Sequence, residues 1–136
     1  HLLKKYSEYL KNRYLLPKPR IELANFINKN ATSSTDISDG LYSDLKNICM
    51  TSNLGAEINF SKIPLSTAAS KIIKENPKLK TRIINGGDDY EILFTGPDGL
   101  EKKKNITKIG KMTKGNQINL IDFDDRINLD GYKHEI

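Results

Sequence analysis

Two short stretches gather most of the residues that could do chemistry. The first, "ATSSTDISDGLYSDL" at residues 31–45, sets Asp36 and Asp39 around Ser38 and follows them with Gly40. Ser and Asp are favoured helix N-caps, each contributing about 1 kcal/mol by accepting a bond from a free N–H, and a carboxylate there also meets the positive helix end. Capping explains one of these residues but not Asp36, which lies outside the expected helix. Two carboxylates held so close repel each other unless a cation or hydrogen-bond donors stand between them. Mg2+ suits that role, because it is held by only one or two carboxylates while phosphate oxygens and water complete its octahedron. The helix start would add N–H groups, and Gly40 would let a phosphate come close. Spacing alone leaves both simple capping and a metal-phosphate site open. A calcium loop of the EF-hand type is excluded: counted from Asp36, the positions that need Gly and Glu hold Leu41 and Asn47.

The second stretch, "INGGDDYEILF", puts Asp88 directly after paired glycines, where side chain and backbone could both face a ligand. A cationic or amino-bearing ligand would relieve the charge gathered there. The plainer alternative is a hairpin turn whose acids stay in water. Other catalytic templates are absent: there is no GxxxxGK[ST] loop, GxGxxG turn, HExxH, cysteine pair or GxSxG elbow. His1 and His134 lie near the chain ends, and Cys49 reads as a small buried hydrophobe on a helix. No side chain is assigned as a catalytic base.

These residues must be positioned by a chain of 136 residues, the size of one domain. Its 37% hydrophobic and 29% charged content is ordinary for a soluble fold, and no apolar run approaches a membrane span. The single cysteine rules out an internal disulfide framework, so a reducing cytoplasm is expected. A net charge of +5 permits nucleic-acid binding. The densest basic run, "EKKKNITK" at 101–108, has no aromatic to stack on a base and reads as a solvated face.

The expected elements follow from periodicity. Leu2, Tyr6 and Leu10 predict a helix that Pro17 and Pro19 end, and Ile21, Ala24, Phe26 and Ile27 form the stripe of a second. Leu41, Leu45 and Ile48 mark a third, with Asp44 and Lys46 on its outer face and Ser38 or Asp39 as N-cap. Ala56, Ile58 and Phe60 alternate as in a half-buried strand. A helix capped by Ser66 follows, with Ala69, Ile72 and Ile73 inward. "RII" and "YEILFT" read as strands joined by the turn "NGGDD", whose glycines supply positive φ, and "ITKIGKMT" and "QINLIDF" read as a second hairpin. This order predicts an α+β fold, a layered α/β/α domain around one mixed, largely antiparallel sheet.

Taken in order, "R-x-L-L-P-K-P-R", "ATSSTDISDGLYSDL", "SNLGAEINFSKIPLS", "NGGDDYEILFT" and "DGYKHEI" resemble the C-terminal half of the thiamine-monophosphate kinase family, over essentially the whole chain. "DISDGL" alone is shared with a wider superfamily of ATP-dependent enzymes that includes aminoimidazole ribonucleotide synthetase. The resemblance implies a fold like that enzyme's C-terminal domain and transfer of the ATP γ-phosphoryl to thiamine monophosphate with Mg2+, giving thiamine diphosphate. It makes Asp36 and Asp39 metal ligands, Ser38 a nucleotide contact, and Asp88 and Tyr132 substrate contacts, with Glu91 as runner-up. Asp88 departs from the family's usual glutamate and is one methylene shorter. The resemblance further implies that residues 1–136 are a single C-terminal domain. A separate N-terminal domain would carry the remaining metal and nucleotide contacts and build a homodimer, so the isolated chain is expected to be inactive. The competing readings are another ATP-dependent superfamily member with a different acceptor, or a basic nucleic-acid-binding module.

Overall fold

In a computed structural model, the structure describes residues 2–87 and 89–123. Helix α1 (Leu2–Leu15) runs into the proline-bearing link at 17–19, and a single tight turn, Ile21–Leu23, leads into α2 (Ala24–Asn30). Strand β1 (Ser33–Asp36), helix α3 (Leu41–Ser52) and strand β2 (Gly55–Asn59) follow. Then come α4 (Thr67–Glu75), α5 (Lys80–Asn85) and the strands β3 (Ile92–Thr95), β4 (Gly110–Thr113) and β5 (Ile118–Ile121). The result is an α+β fold with two small sheets in place of the one expected: β1 pairs antiparallel with β3, and β2 lies between antiparallel β4 and parallel β5.

Helix α3 ties the two sheets together, touching β1, β2, β3 and α5. Its Leu41, Leu45, Ile48 and Cys49 form one cluster with Ala56, Ile58, Phe60, Ile84 and Leu93. Burial raises the Cys49 thiol above its ordinary pKa, which leaves it an inert core group. The alternation expected of Ala56, Ile58 and Phe60 holds, and Ser66 caps α4 by accepting a bond from the Ala69 N–H at 3.1 Å.

Several expected elements differ. "RII" is not a strand: Pro77 opens a helical turn, as its fixed φ favours, and the chain continues into α5, where Ile84 is 1% exposed. The second hairpin does not form either, because β2 separates β4 from β5. A strand as buried as β2 needs hydrogen-bonding neighbours on both edges. The β4–β5 link therefore crosses the end of β2 at Gly55, where a Cβ would strike the Gln117 carbonyl and the Thr113 hydroxyl. In the second helical stretch Leu23 and Ile27 face inward, while Ile21 and Ala24 are exposed. In α4, Ala68 joins Ile73 in the interior, and Ala69 and Ile72 are half-buried.

The start of the chain is anchored by charge as well as by packing of α1 on α4. Arg20 grips Glu91 with two parallel bonds, Nε to Oε2 at 2.8 Å and Nη2 to Oε1 at 2.7 Å, and Arg13 adds Nη2 to Oε1 at 2.8 Å. Such forked, charge-assisted bonds are the strong ones and fix orientation. Desolvation alone would raise the Glu91 carboxyl, but Arg20 and then Arg13 outweigh it and hold it below the ordinary glutamate range.

A carboxyl whose pKa is lowered by folding contributes stability above its unfolded value, about 4.3, and loses it as pH falls through the lowered one. Asp44 and Asp89, both pushed up by desolvation first, act in the opposite sense. Glu91→Gln is thus expected to lower Tm near neutral pH, with the gap from wild type closing as pH drops below the ordinary glutamate value. A gap that stays constant down to acid unfolding would show that the ion cluster carries no net stability.

Candidate functional site

The two acidic stretches meet at one place. The β1–β3 ladder sets Asp36 opposite Ile92, and it continues past both strand ends: the Ile37 N–H donates to the Glu91 carbonyl at 2.9 Å and the Tyr90 N–H to the Ile37 carbonyl at 3.0 Å. Tyr90 reaches this position with φ +54, the left-handed region that costs a non-glycine residue about 1–2 kcal/mol. Beyond the ladder the backbones touch. A Cβ on Gly87 would collide with the Ser38 carbonyl, and one on Gly40 would lie 2.8 Å from the Asn85 carbonyl carbon and oxygen. Glycine is needed at 87 for close approach; Gly86 has an ordinary φ of −71, and Gly87 also lies outside the left-handed region, so the expected positive-φ turn is replaced. Positive φ falls instead to Gly40, at +115.

Neither Ser38 nor Asp39 caps α3. Gly40 is the N-cap residue, with no side-chain cap bond, and a carboxylate from inside the helix turns back to the loop before it. Asp44, expected on the outer face, is 3% exposed, and its Oδ2 accepts the N–H of Ser38 at 3.0 Å and of Asp39 at 3.2 Å. Desolvation raises its carboxyl, and these bonds oppose the rise. Two amides that a charge-blind reading leaves to solvent or ligand thus have an internal acceptor.

Of the residues singled out, Asp36 is exposed at the end of β1, while Ser38 and Asp39 are half-buried in the loop before α3. Asp88 and Tyr132 lie outside the described residues. Glu91, the runner-up for substrate contact, is bonded to Arg13 and Arg20. Sequence reasoning missed Asp44, Arg13 and Arg20. The arginines flank the prolines of the quoted motif and were open to discovery; Asp44 carried no signal, since its partners are backbone amides five and six residues earlier.

The donor set fits a hard divalent cation only in part. Among the described residues no three His, Cys, Asp or Glu side chains gather into a metal cage. Magnesium does not require one, because two carboxylates suffice when ligand phosphates supply the remaining oxygens. Beside the loop, Thr81, Arg82, Asn85 and Gly86 line a shallow hollow of about 260 Å³.

No protein-family model matches the chain. Thiamine-monophosphate kinases do: that of Escherichia coli K12 is 39% identical over 94 residues, covering 69% of this chain and 29% of the enzyme. That of Buchnera aphidicola subsp. Schizaphis graminum is 39% identical over 113 residues, covering 81% and 32%. Among solved structures, AaThiL complexed with AMPPCP and TMP superposes with a TM-score of 0.74 at 32% identity, over 85% of this chain and 38% of that one. Thiamine-monophosphate kinase from Stenotrophomonas maltophilia K279a gives a TM-score of 0.76 at 29% identity, over 85% and 39%. The chain spans about a third of the length of the curated relatives it matches. By sequence and by fold, it corresponds to a segment of the thiamine-monophosphate kinase family, as its motifs imply.

Proposed function

We propose that this chain is the C-terminal domain of a cytoplasmic thiamine-monophosphate kinase, with the layered fold of an aminoimidazole ribonucleotide synthetase C-terminal domain. The observation that carries the reading is the backbone contact of the "ISDG" loop with the double-glycine turn, since it brings the two acidic stretches to one site. Asp36 and Asp39 would hold magnesium, and Ser38 would contact the nucleotide. Asp88 and Tyr132 would meet the thiamine, whose fixed thiazolium charge is attracted by a carboxylate and by an aromatic face. The structural relative solved with AMPPCP, an ATP analogue, and TMP supports both ligands.

A phosphate oxygen of thiamine monophosphate attacks the ATP γ-phosphorus as the bond to the β–γ bridging oxygen breaks, giving thiamine diphosphate and ADP. The monoester's second pKa is about 6, so the nucleophile is already anionic near neutral pH and needs no protein base. When bound, magnesium would supply the neutralisation of phosphate charge. The chain's own part is to orient: Asp36 ends β1, and Ser38 and Asp39 issue from the loop that follows it, which is fixed on both sides; this suits a reaction that depends on positioning and electrostatics. The rest of the nucleotide site would come from an N-terminal domain of the whole enzyme, which would act as a homodimer. Another acceptor within the same superfamily is the second reading, separable by a panel of acceptors assayed with ATP. Kinase relatives do not favour a nucleic-acid module.

In the full-length enzyme, Asp36→Asn and Asp39→Asn are each expected to lower kcat by about 10²-fold or more, the usual loss on removing a group that stabilises transition-state charge, while Tm is kept. Near-normal turnover would argue against metal ligation. The 136-residue chain alone is expected to show no turnover of thiamine monophosphate above background, and measurable turnover would overturn the division of the site between domains.

A further inference from the structure

The start of α3 looks at first like a place to hold phosphate, because free amides at a helix entrance attract anions. Here the amides of Ser38 and Asp39 converge on a single oxygen of Asp44, a carboxylate from the helix itself. Asp44 is the one charged side chain buried among the described residues. Paired amides of this kind form a nest that an anion fills, and the nest is filled from within. Two effects follow. The backbone that carries the Ser38 and Asp39 side chains is pinned to the helix, and a negative charge stands where a phosphate bound by these two amides would have to sit.

We infer that Asp44 is a positioning residue that reserves this loop for a cation: it occupies the amide nest, sets the direction of the Ser38 and Asp39 side chains, and adds its charge to theirs. Phosphate groups of a ligand are then met at this loop through a metal and not by the Ser38 and Asp39 amides. The inference rests on the magnesium reading of Asp36 and Asp39, but its anion half can be tested without it.

The test follows the amide signals of Ser38 and Asp39 in the nitrogen-15-labelled full chain, titrated separately with manganese(II) alone and with inorganic phosphate alone. In the wild type, manganese is expected to broaden both signals and millimolar phosphate to leave them in place. Asp44→Ala is expected to weaken manganese binding by about tenfold or more, the usual cost of losing a group that orients a metal ligand, and to let phosphate shift both amides. A purely structural role would not produce that gain of anion response. Where Asp44→Ala fails to fold, Asp44→Asn decides, since it keeps an acceptor oxygen without the charge; it is expected to weaken manganese binding and to admit phosphate at higher concentration. Phosphate shifts in the wild type, or variants that match the wild type in both titrations, would overturn the inference. If manganese leaves the wild-type signals unbroadened, the metal reading fails by itself. The phosphate titration then still decides the role of Asp44: a response gained in the variant upholds it, and none overturns it.

Discussion

Main chain touches main chain where Gly87 meets the Ser38 carbonyl and Gly40 meets Asn85, and everything proposed for the site depends on that contact. Side chains at such a contact would act as spacers, and each would bring rotamer freedom with it. Without them the relative position of two loops is set by peptide groups, which have few soft degrees of freedom. The Ile37, Tyr90 and Glu91 hydrogen bonds close the same seam from the strand side. A loop secured in this way can hold carboxylates at a fixed separation against their repulsion, which a mobile loop would relieve by moving apart.

Asp89 and Glu91, two residues apart, stand in different surroundings. Glu91 turns to Arg13 and Arg20, and three of its possible hydrogen bonds are made to them. That cluster fastens the end of α1 and the proline link to the strand that carries the seam. Asp89 is left beside a compensated charge, and its carboxyl is pushed up by desolvation and by Glu91, with Arg13 and Arg20 opposing. One acid is spent on architecture, and it is the one whose backbone carbonyl also receives the Ile37 N–H.

Periodic elements were legible in the sequence and pairings were not. The alternation through Ala56 and Ile58 and the stripe through Leu41, Leu45 and Ile48 appear as read, because burial imposes a period on each element by itself. The sequence around Ile83 and Ile84 misled because two adjacent β-branched residues suit a strand, and the helical relation of Leu79 to Ile83 was overlooked. Pairing β4 with β5 failed for another reason: a short link with Gly115 suggests a hairpin, and nothing local reveals that a third strand will lie between. Asp44 escaped because sequence spacing describes side chains meeting side chains, while its partners are amides. The acidic pair and the paired glycines were found because each breaks a local rule, like-charge separation in one case and helix or strand propensity in the other.

The central place of β2 also bears on the order in which the chain is made. Its partner β4 begins at Gly110, and β5, which pairs along the other edge, ends at Ile121. On the ribosome β2 is complete long before either flank exists, so both rows of its peptide groups stay open while residues 60–109 are still being synthesised. Open edges of an apolar strand invite pairing with other molecules. A nascent chain that stops short of residue 118 therefore carries an unsealed edge on β2.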